Sequence, residues 1–368
     1  MGHKKWNIGW GTVSACNMKC EFCYSKTRRI PDKDLGLTEW LTFVDNNWEY
    51  INSINYGTGE NSISDDWFTL IDHVRKHYPH IRQAVTTNGY IGNVVNNNPT
   101  KRDIVLRAID EIDISLDFAD EQKHISFRGQ ANAYKWALET LDFCQKNGKS
   151  PTIVCLGSAV NAYPENLNGI FAIAKRYGAI VRMNLYRPTE GIDDFSRRFI
   201  LSSEKLEQVL FWINENHTIL SISDVLYSNL FTENSKHDPS GFDSLRILPD
   251  GDVSPSTYLI HHEFIVGNIR EKNILQRITE EQSFEHIVYD VIPDECRECR
   301  YRDTCRGGVF DRRYLWYGTL TKKDPYCHYQ PGDPEWKKLN ISTRPFHSVH
   351  NGYLPTMFFL PGKEGEQK

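Results

Sequence analysis

Residues 6–24 read Trp6-Asn7-Ile8-Gly9-Trp10-Gly11-Thr12-Val13-Ser14-Ala15-Cys16-Asn17-Met18-Lys19-Cys20-Glu21-Phe22-Cys23-Tyr24. A strand-like run from Trp6 to Val13 passes into three cysteines packed into eight residues, Cys16-x3-Cys20-x2-Cys23. Three thiolates on a short loop can hold three irons of a cubane cluster and leave the fourth iron open to a ligand. The competing readings are a zinc knuckle or buried free thiols. Zinc takes four ligands, and no neighbouring His or Cys completes a set.

The rest of the composition fits such a centre. The chain has 368 residues, 39% hydrophobic and 25% charged, enough for one large or two ordinary domains with a sizeable core. The net charge of −5 offers no global field toward nucleic acid or anionic membrane, and no basic stripe stands out. The N-terminus lacks a signal-peptide core, and no apolar run approaches the ~20 residues of a membrane span. Nine cysteines, odd in number and clustered, favour metal or cluster ligation over disulfides. These features predict a cytoplasmic, oxygen-sensitive protein.

Outward from the cysteine loop, strand-like and helix-like segments alternate. Predicted strands are 6–13, 51–56, 81–87, 111–117, 151–156 and 180–186. Predicted helices are 37–50, 64–76, 101–109, 131–146, 164–177 and 202–216. Such alternation implies a parallel sheet covered by helices, and six units suit a partial (β/α)6 TIM-like barrel. Loops at strand ends (Gly57-Thr58-Gly59-Glu60-Asn61, Thr87-Asn88-Gly89, Ser115-Leu116-Asp117) should line one site at the C-terminal ends of the strands. Past residue 230 the pattern changes to a predicted hairpin, 244–248 and 252–260 around Asp250-Gly251, and a helix over 273–288. The expected division is a barrel over 1–231, a linker over 232–243, a small cluster domain over 244–330 and an irregular tail over 331–368.

The cysteine loop closely resembles that of the radical S-adenosylmethionine (SAM) superfamily. The resemblance implies an α/β fold and a 4Fe-4S cluster on Cys16, Cys20 and Cys23. It implies that SAM chelates the open iron and is reductively cleaved to a 5′-deoxyadenosyl radical that abstracts hydrogen from a C–H bond. Gly59 and Glu60 match the family's Gly-Gly-Glu loop, with Thr58 in place of the first glycine, a departure read as mild. Ser115 and Asp117 match its fourth-strand Ser-x-Asp, Arg128 matches an arginine that pairs with the SAM carboxylate, and Phe22 stands where an aromatic flanks the adenine.

Cys296-x2-Cys299-x5-Cys305 and then Cys327 suit a closed 4Fe-4S cluster or zinc on spacing alone. The segment from Gly251 to Cys327 resembles the SPASM/twitch auxiliary-cluster domain (β-hairpin, helix, cluster loops), which favours a second, auxiliary 4Fe-4S cluster. Ser240, Gly241, Ser254, Pro255, Ser256 and Val309 stand where a full SPASM domain places ligands for a further cluster, so that cluster is expected to be absent. Thr257 stands near the position of a catalytic acid in sulfatase-maturing relatives, which disfavours that activity.

Two cysteines remain. Cys144 is expected in the core. Packing is the default for Cys155 as well; the sharper reading makes it an inward-facing hydrogen-atom donor to a substrate radical. Tyr186 and Arg187 are expected to line the substrate pocket. The arginines from Arg297 to Arg313 interleave with acids and read as solvated surface. The resemblance implies an oxidoreductase that modifies a peptide (RiPP-type) or a protein. The alternatives are a small-molecule dehydrogenase or epimerase, or a non-catalytic iron–sulfur or zinc scaffold. An electron donor such as flavodoxin or ferredoxin is implied. The early position of the cluster loop leaves no room upstream for a leader-peptide-binding domain, so a separate protein is expected to supply that role.

Overall fold

A computed structural model describes residues 4–233 and 236–364, apart from the Pro31 side chain. Eleven strands form one sheet: β1 Trp6–Trp10, β2 Ile51–Tyr56, β3 Arg82–Thr87, β4 Glu111–Ser115, β5 Thr152–Gly157, β6 Ile180–Leu185, β7 Thr218–Ile222, β8 Ser244–Ile247, β9 Asp252–Ser254, β10 Gly267–Asn268 and β11 Met357–Leu360. Their spatial order is β10-β9-β8-β1-β2-β3-β4-β5-β6-β11-β7. β1 to β6 run parallel in sequence order, with helices between them, as the alternation predicts. The result is an α/β fold of partial TIM-barrel type.

Residues of period two sort the two faces. Ile8, Trp10, Ile54, Tyr56, Val85, Ile112 and Ile114 are buried in the apolar core. Trp10 meets Phe43 of helix Leu37–Asn47 edge-on at 5.1 Å, and Tyr56 meets Trp67 of helix Asp65–His77 at 5.9 Å. The intervening positions carry Gly9, Gly11, Asn55, Thr86, Asp113 and Arg182, so the concave face is polar.

The edges depart from the sequence expectation. β8, the first hairpin strand, pairs in parallel with β1 (Asn7↔Ser244 to Trp10↔Ile247), making a seventh parallel strand. The hairpin is shorter than predicted, and β10 adds a third antiparallel strand. The predicted tail is not irregular throughout. β11 inserts antiparallel between β6 and β7, pairing Met357 with Met183 and Ile222. The Pro- and Gly-rich stretch before it hides this strand, because its hydrogen-bond partners lie more than a hundred residues away. The predicted helix over 273–288 breaks into Ile274–Glu280 and a π-helical turn Glu285–Tyr289, with Gln282 at φ 51° between them. Residues 234 and 235 of the predicted linker lie outside the described residues.

Arg312 and Arg313 also correct the sequence reading, for both are buried. Arg312 bridges Asp224 (2.8 Å) and Asp324 (2.6 Å), tying the helix after β7 to the cluster loops. Arg313 donates to the carbonyls of Lys322, Arg306, Val291 and Leu320. Arg312 is thus held by acids from outside the interleaved run and Arg313 by backbone carbonyls, so neither lies on a wet face.

Candidate active site

A cavity with about 1140 Å3 of unfilled space, part of it open to solvent, lies over the C-terminal ends of the parallel strands. Cys16, Cys20 and Cys23 line it from the loop after β1, as do Phe22, Gly59, Ser115, Arg128, Tyr186 and Arg187. These predicted site residues thus come together. Asn88 Nδ2 approaches Cys16 Sγ at 3.7 Å, the Arg128 carbonyl lies 3.6 Å from Cys20 Sγ, and Ser25 Oγ lies 3.4 Å from Cys23 Sγ. Burial pushes the Cys16 and Cys20 thiols up, with Arg128 opposing it at Cys20. A bound metal reverses that balance, since ligating thiols are held as thiolates.

The loop after β2 is pressed against the cysteine loop. Gly59 sits at φ 62°, and a Cβ there would fall 2.4 Å from the carbonyls of Val13 and Ala15. Glu60 N donates to the Ala15 carbonyl at 2.9 Å. The Glu60 carboxylate does not face the cavity. It is fully buried and accepts from Ser62 Oγ (2.5 Å), Thr87 Oγ1 (2.9 Å) and Asn88 N (2.8 Å), locking the β2 loop to the β3 loop. Burial pushes its carboxyl up, opposed by those donors.

Thr58 is more than a mild departure. It holds φ 102°, a conformation that glycine adopts freely and a β-branched residue rarely does. Its hydroxyl accepts from Arg246 Nη2 and lies 3.2 Å from Tyr24 Oη. Arg246, buried on β8, also donates to the Gly57 carbonyl at 2.7 Å. The strained turn is therefore clamped from the eighth strand.

Arg128 ends helix Glu121–Arg128, which Asp120 caps through Lys123 N (2.8 Å) and Gly129 terminates at φ 63°. Its Nε donates to Asp117 Oδ2 at 2.6 Å, and its guanidinium lies 5.2 Å from the Phe22 ring centroid. Asp117 itself is fully buried, off the cavity wall, and also accepts Leu156 N at 2.8 Å. It positions Arg128. Phe22 stacks on Phe127 at 4.2 Å. Arg187 pairs with buried Asp311 at 2.9 Å. Tyr186 is nearly buried, and its phenol is pushed up to about 12 by burial.

Cys155 does not reach the cavity. Val154 and Leu156 line it, so alternation turns Cys155 to the opposite face. There it is fully buried and accepts from Asn161 Nδ2 at 3.4 Å. The hydrogen-donor expectation is corrected on this geometry. Cys144 lies in the core as expected.

Cys296, Cys299, Cys305 and Cys327 line one small cavity walled by Leu226, Leu230, Tyr301 and Tyr329. Burial raises the Cys296 and Cys327 thiols to about 11 and pushes the Cys305 thiol well above its ordinary value. Four sulfurs around a shared apolar space fit a closed cluster. Of the hydroxyls at the other SPASM positions, Ser254 Oγ donates to the Leu259 carbonyl (2.5 Å) and Ser256 Oγ to Asp311 (2.8 Å), while Ser240 Oγ is buried without a partner.

Sequence reasoning missed Arg182, Arg246, His350 and Tyr353, which complete the cavity. One signal was available. Gly9 in β1 and Gly11 just after it alternate, and glycine at such positions marks a close approach. A Cβ at Gly9 would fall 1.6 Å from Tyr353 Oη, and one at Gly11 3.0 Å from Arg246 Nη2.

A family model described as the radical SAM superfamily matches residues 11–173, and one described as an iron–sulfur cluster-binding domain, SPASM, matches residues 239–300. The first spans the three cavity cysteines; the second includes Cys296 and Cys299 and stops short of Cys305 and Cys327. Mycofactocin maturase MftC of Mycolicibacterium smegmatis is 23% identical over 352 residues, covering 92% of this chain and 86% of that protein. The AdoMet-dependent heme synthase of Methanosarcina barkeri is 23% identical over 359 residues, covering 88% and 97%. Among solved structures, Streptococcus suis SuiB bound to S-adenosylmethionine superposes with TM-score 0.66 at 14% identity, over 89% of this chain and 78% of that one. Native anSMEcpe with AdoMet and the Cp18Cys peptide gives 0.65 at 18%, over 87% and 93%. The two matched domains, on the fold and cysteine sites described above, make this chain a member of the radical SAM superfamily with a C-terminal SPASM iron–sulfur cluster-binding domain.

Proposed function

We propose that the cavity is where a peptide or protein substrate meets SAM, and that Cys16, Cys20 and Cys23 hold the cluster that SAM ligates. When bound, cluster and SAM together supply a 5′-deoxyadenosyl radical that removes hydrogen from a substrate C–H bond. Gly59 lets backbone approach the cysteine loop closely, and Glu60 holds that approach from behind. Arg128, fixed by Asp117, presents a guanidinium suited to the SAM carboxylate, with Phe22 stacked beside it. Tyr186 and Arg187 extend the wall toward the substrate. Cys296, Cys299, Cys305 and Cys327 hold the auxiliary cluster; four thiolates leave it no open iron, which suits electron transfer or structure.

The observation that carries this reading is the meeting of the three cysteines, the Gly57–Gly59 loop, Ser115 and Arg128 in one cavity. Peptide modification is favoured because MftC is named a maturase and both the SuiB and anSMEcpe folds have been solved with peptides bound. The heme synthase relatives support a second reading, a small-molecule substrate. No helix among the described residues is long and apolar enough to cross a membrane, consistent with a cytoplasmic enzyme. It would draw electrons from a flavodoxin or ferredoxin.

The test is anaerobic reconstitution with iron and sulfide, then SAM and dithionite. Release of 5′-deoxyadenosine, lost in Cys16→Ala, supports the reading; zinc-only protein that releases none refutes it. Mass change in short peptides encoded beside the gene distinguishes the peptide from the small-molecule substrate.

A further inference from the structure

The cavity wall carries five arginines (Arg29, Arg128, Arg182, Arg187 and Arg246) and His350, and no Asp or Glu. Three of these arginines have a carboxylate behind the wall: Arg128 with Asp117 (2.6 Å), Arg182 with Asp113 (3.2 Å) and Arg187 with Asp311 (2.9 Å). Arg246 differs. It is 1% exposed, yet its contacts are the Gly57 carbonyl and the hydroxyls of Thr58, Tyr353 and Tyr24. No carboxylate is among its hydrogen-bond partners. Its Nε has no partner.

The groups beside it are open in the same way. Arg182 Nε and Nη1 have no partner, nor does His350 Nε2. Both residues are at most 1% exposed and line the same cavity. Asp113 Oδ2 lies 3.2 Å from Arg182 Nη2 and 2.9 Å from His350 Nδ1, so its charge is shared between Arg182 and His350, although neither of its oxygens makes a hydrogen bond. A buried cation without a counter-charge is costly, and buried donors without acceptors are rare in folded proteins. An anion in the cavity would remove both defects at once, and a guanidinium suits a carboxylate geometrically.

We infer that Arg246 and Arg182 form an anchor for a carboxylate of the substrate, completed by the C-terminal segment that supplies His350 and Tyr353. This rests on the cavity being the substrate site proposed above. SAM also carries a carboxylate, for which Arg128 beside the cysteine loop is the assigned partner, so the experiment must separate the two sources.

The probes are benzoate and its neutral isostere benzamide, added to the anaerobically reconstituted holoenzyme with saturating SAM. Binding is read by equilibrium dialysis and by melting temperature. Benzoate should bind at least tenfold more tightly than benzamide. Arg246→Gln and Arg182→Gln should each cut that preference below threefold, and SAM affinity in the same variants should fall less than benzoate affinity. Equal binding of the two probes to wild-type protein overturns the anchor, and this comparison stands even where a variant fails to fold. Benzoate that binds the SAM-free holoenzyme and is displaced when SAM is added assigns the arginines to SAM and overturns it too. Failure of the radical SAM reading shows separately, as absence of 5′-deoxyadenosine from wild-type protein.

Discussion

Replacing Gly9 by alanine should dislodge the C-terminal segment from the barrel. The new Cβ would sit 1.6 Å from Tyr353 Oη, 2.0 Å from Cζ and 2.4 Å from Cε2. Ordinary contact begins near 3.4 Å, so the ring must retreat by about 2 Å (3.4 − 1.6). It cannot retreat freely, because Tyr353 is 2% exposed and β11, starting at Met357, is hydrogen-bonded to β6 and β7. The retreat breaks the bonds of Tyr353 Oη to Arg246 and Thr257, about 1 kcal/mol each. Overpacking adds roughly 1–3 kcal/mol, giving about 3–5 kcal/mol in total. Unfolding entropy for a chain of this size is about 0.8 kcal/mol/K, so the melting temperature should fall by roughly 4–6 °C. Tyr353→Ala alone should cost a similar ~3–5 kcal/mol through the lost ring. The double variant should melt near Tyr353→Ala, since the clash partner is gone. The assay is a circular dichroism melt of the four reconstituted proteins. A loss below 1 °C for Gly9→Ala, or simple addition in the double variant, would refute the account of Tyr353 as a plug against β1.

Three further outcomes are expected. Thr58→Gly relieves roughly 1–3 kcal/mol of backbone strain and loses a hydroxyl acceptor of similar worth, whereas Thr58→Val keeps the strain and strands a buried guanidinium donor at about 1–3 kcal/mol; the valine variant should melt lower than the glycine variant, and the reverse order would contradict the clamp. Cys155→Ala should leave 5′-deoxyadenosine formation and solvent-hydrogen incorporation into product within about twofold of wild type, at about 1 kcal/mol of stability for the lost buried sulfur; abolished incorporation would restore it as a donor. His124 is fully buried with Nδ1 accepting the Asp117 amide at 3.2 Å, and burial lowers it from 6.5 to about 4. A folded-state value below the unfolded one contributes stability above pH 6.5 that is lost as pH falls toward 4. Melts between pH 7 and 4.5 should therefore show a steeper decline for wild type than for His124→Asn, and equal slopes would remove His124 from the acid response.

The alternation of β1 to β6 with helices was legible because it is local. Each strand is a short apolar or alternating run, and each helix has its own periodicity and caps, such as Ser64 ahead of Asp65–His77. The cysteine loops were legible for the same reason: a ligand set within eight residues is a spacing, and spacing is written in sequence. Gly59 and Arg128 were found by their place in a motif. Glu60 and Asp117 were found too, but only packing shows that their carboxylates hold the loop and Arg128 from behind.

What the tertiary structure decided depends on contacts between distant parts of the chain. Nothing local tells that Met357–Leu360 will fill the space between β6 and β7, or that Ser244–Ile247 will extend the sheet beyond β1. Those two placements bring Arg246, His350 and Tyr353 into the cavity. Strand parity, fixed by register and invisible in composition, put Val154 and Leu156 inside and Cys155 outside. Pairing partners likewise separated buried Arg312 from the exposed Arg297, Arg300 and Arg302, because a guanidinium settles in the interior where folding brings acceptors to it, here Asp224 and Asp324.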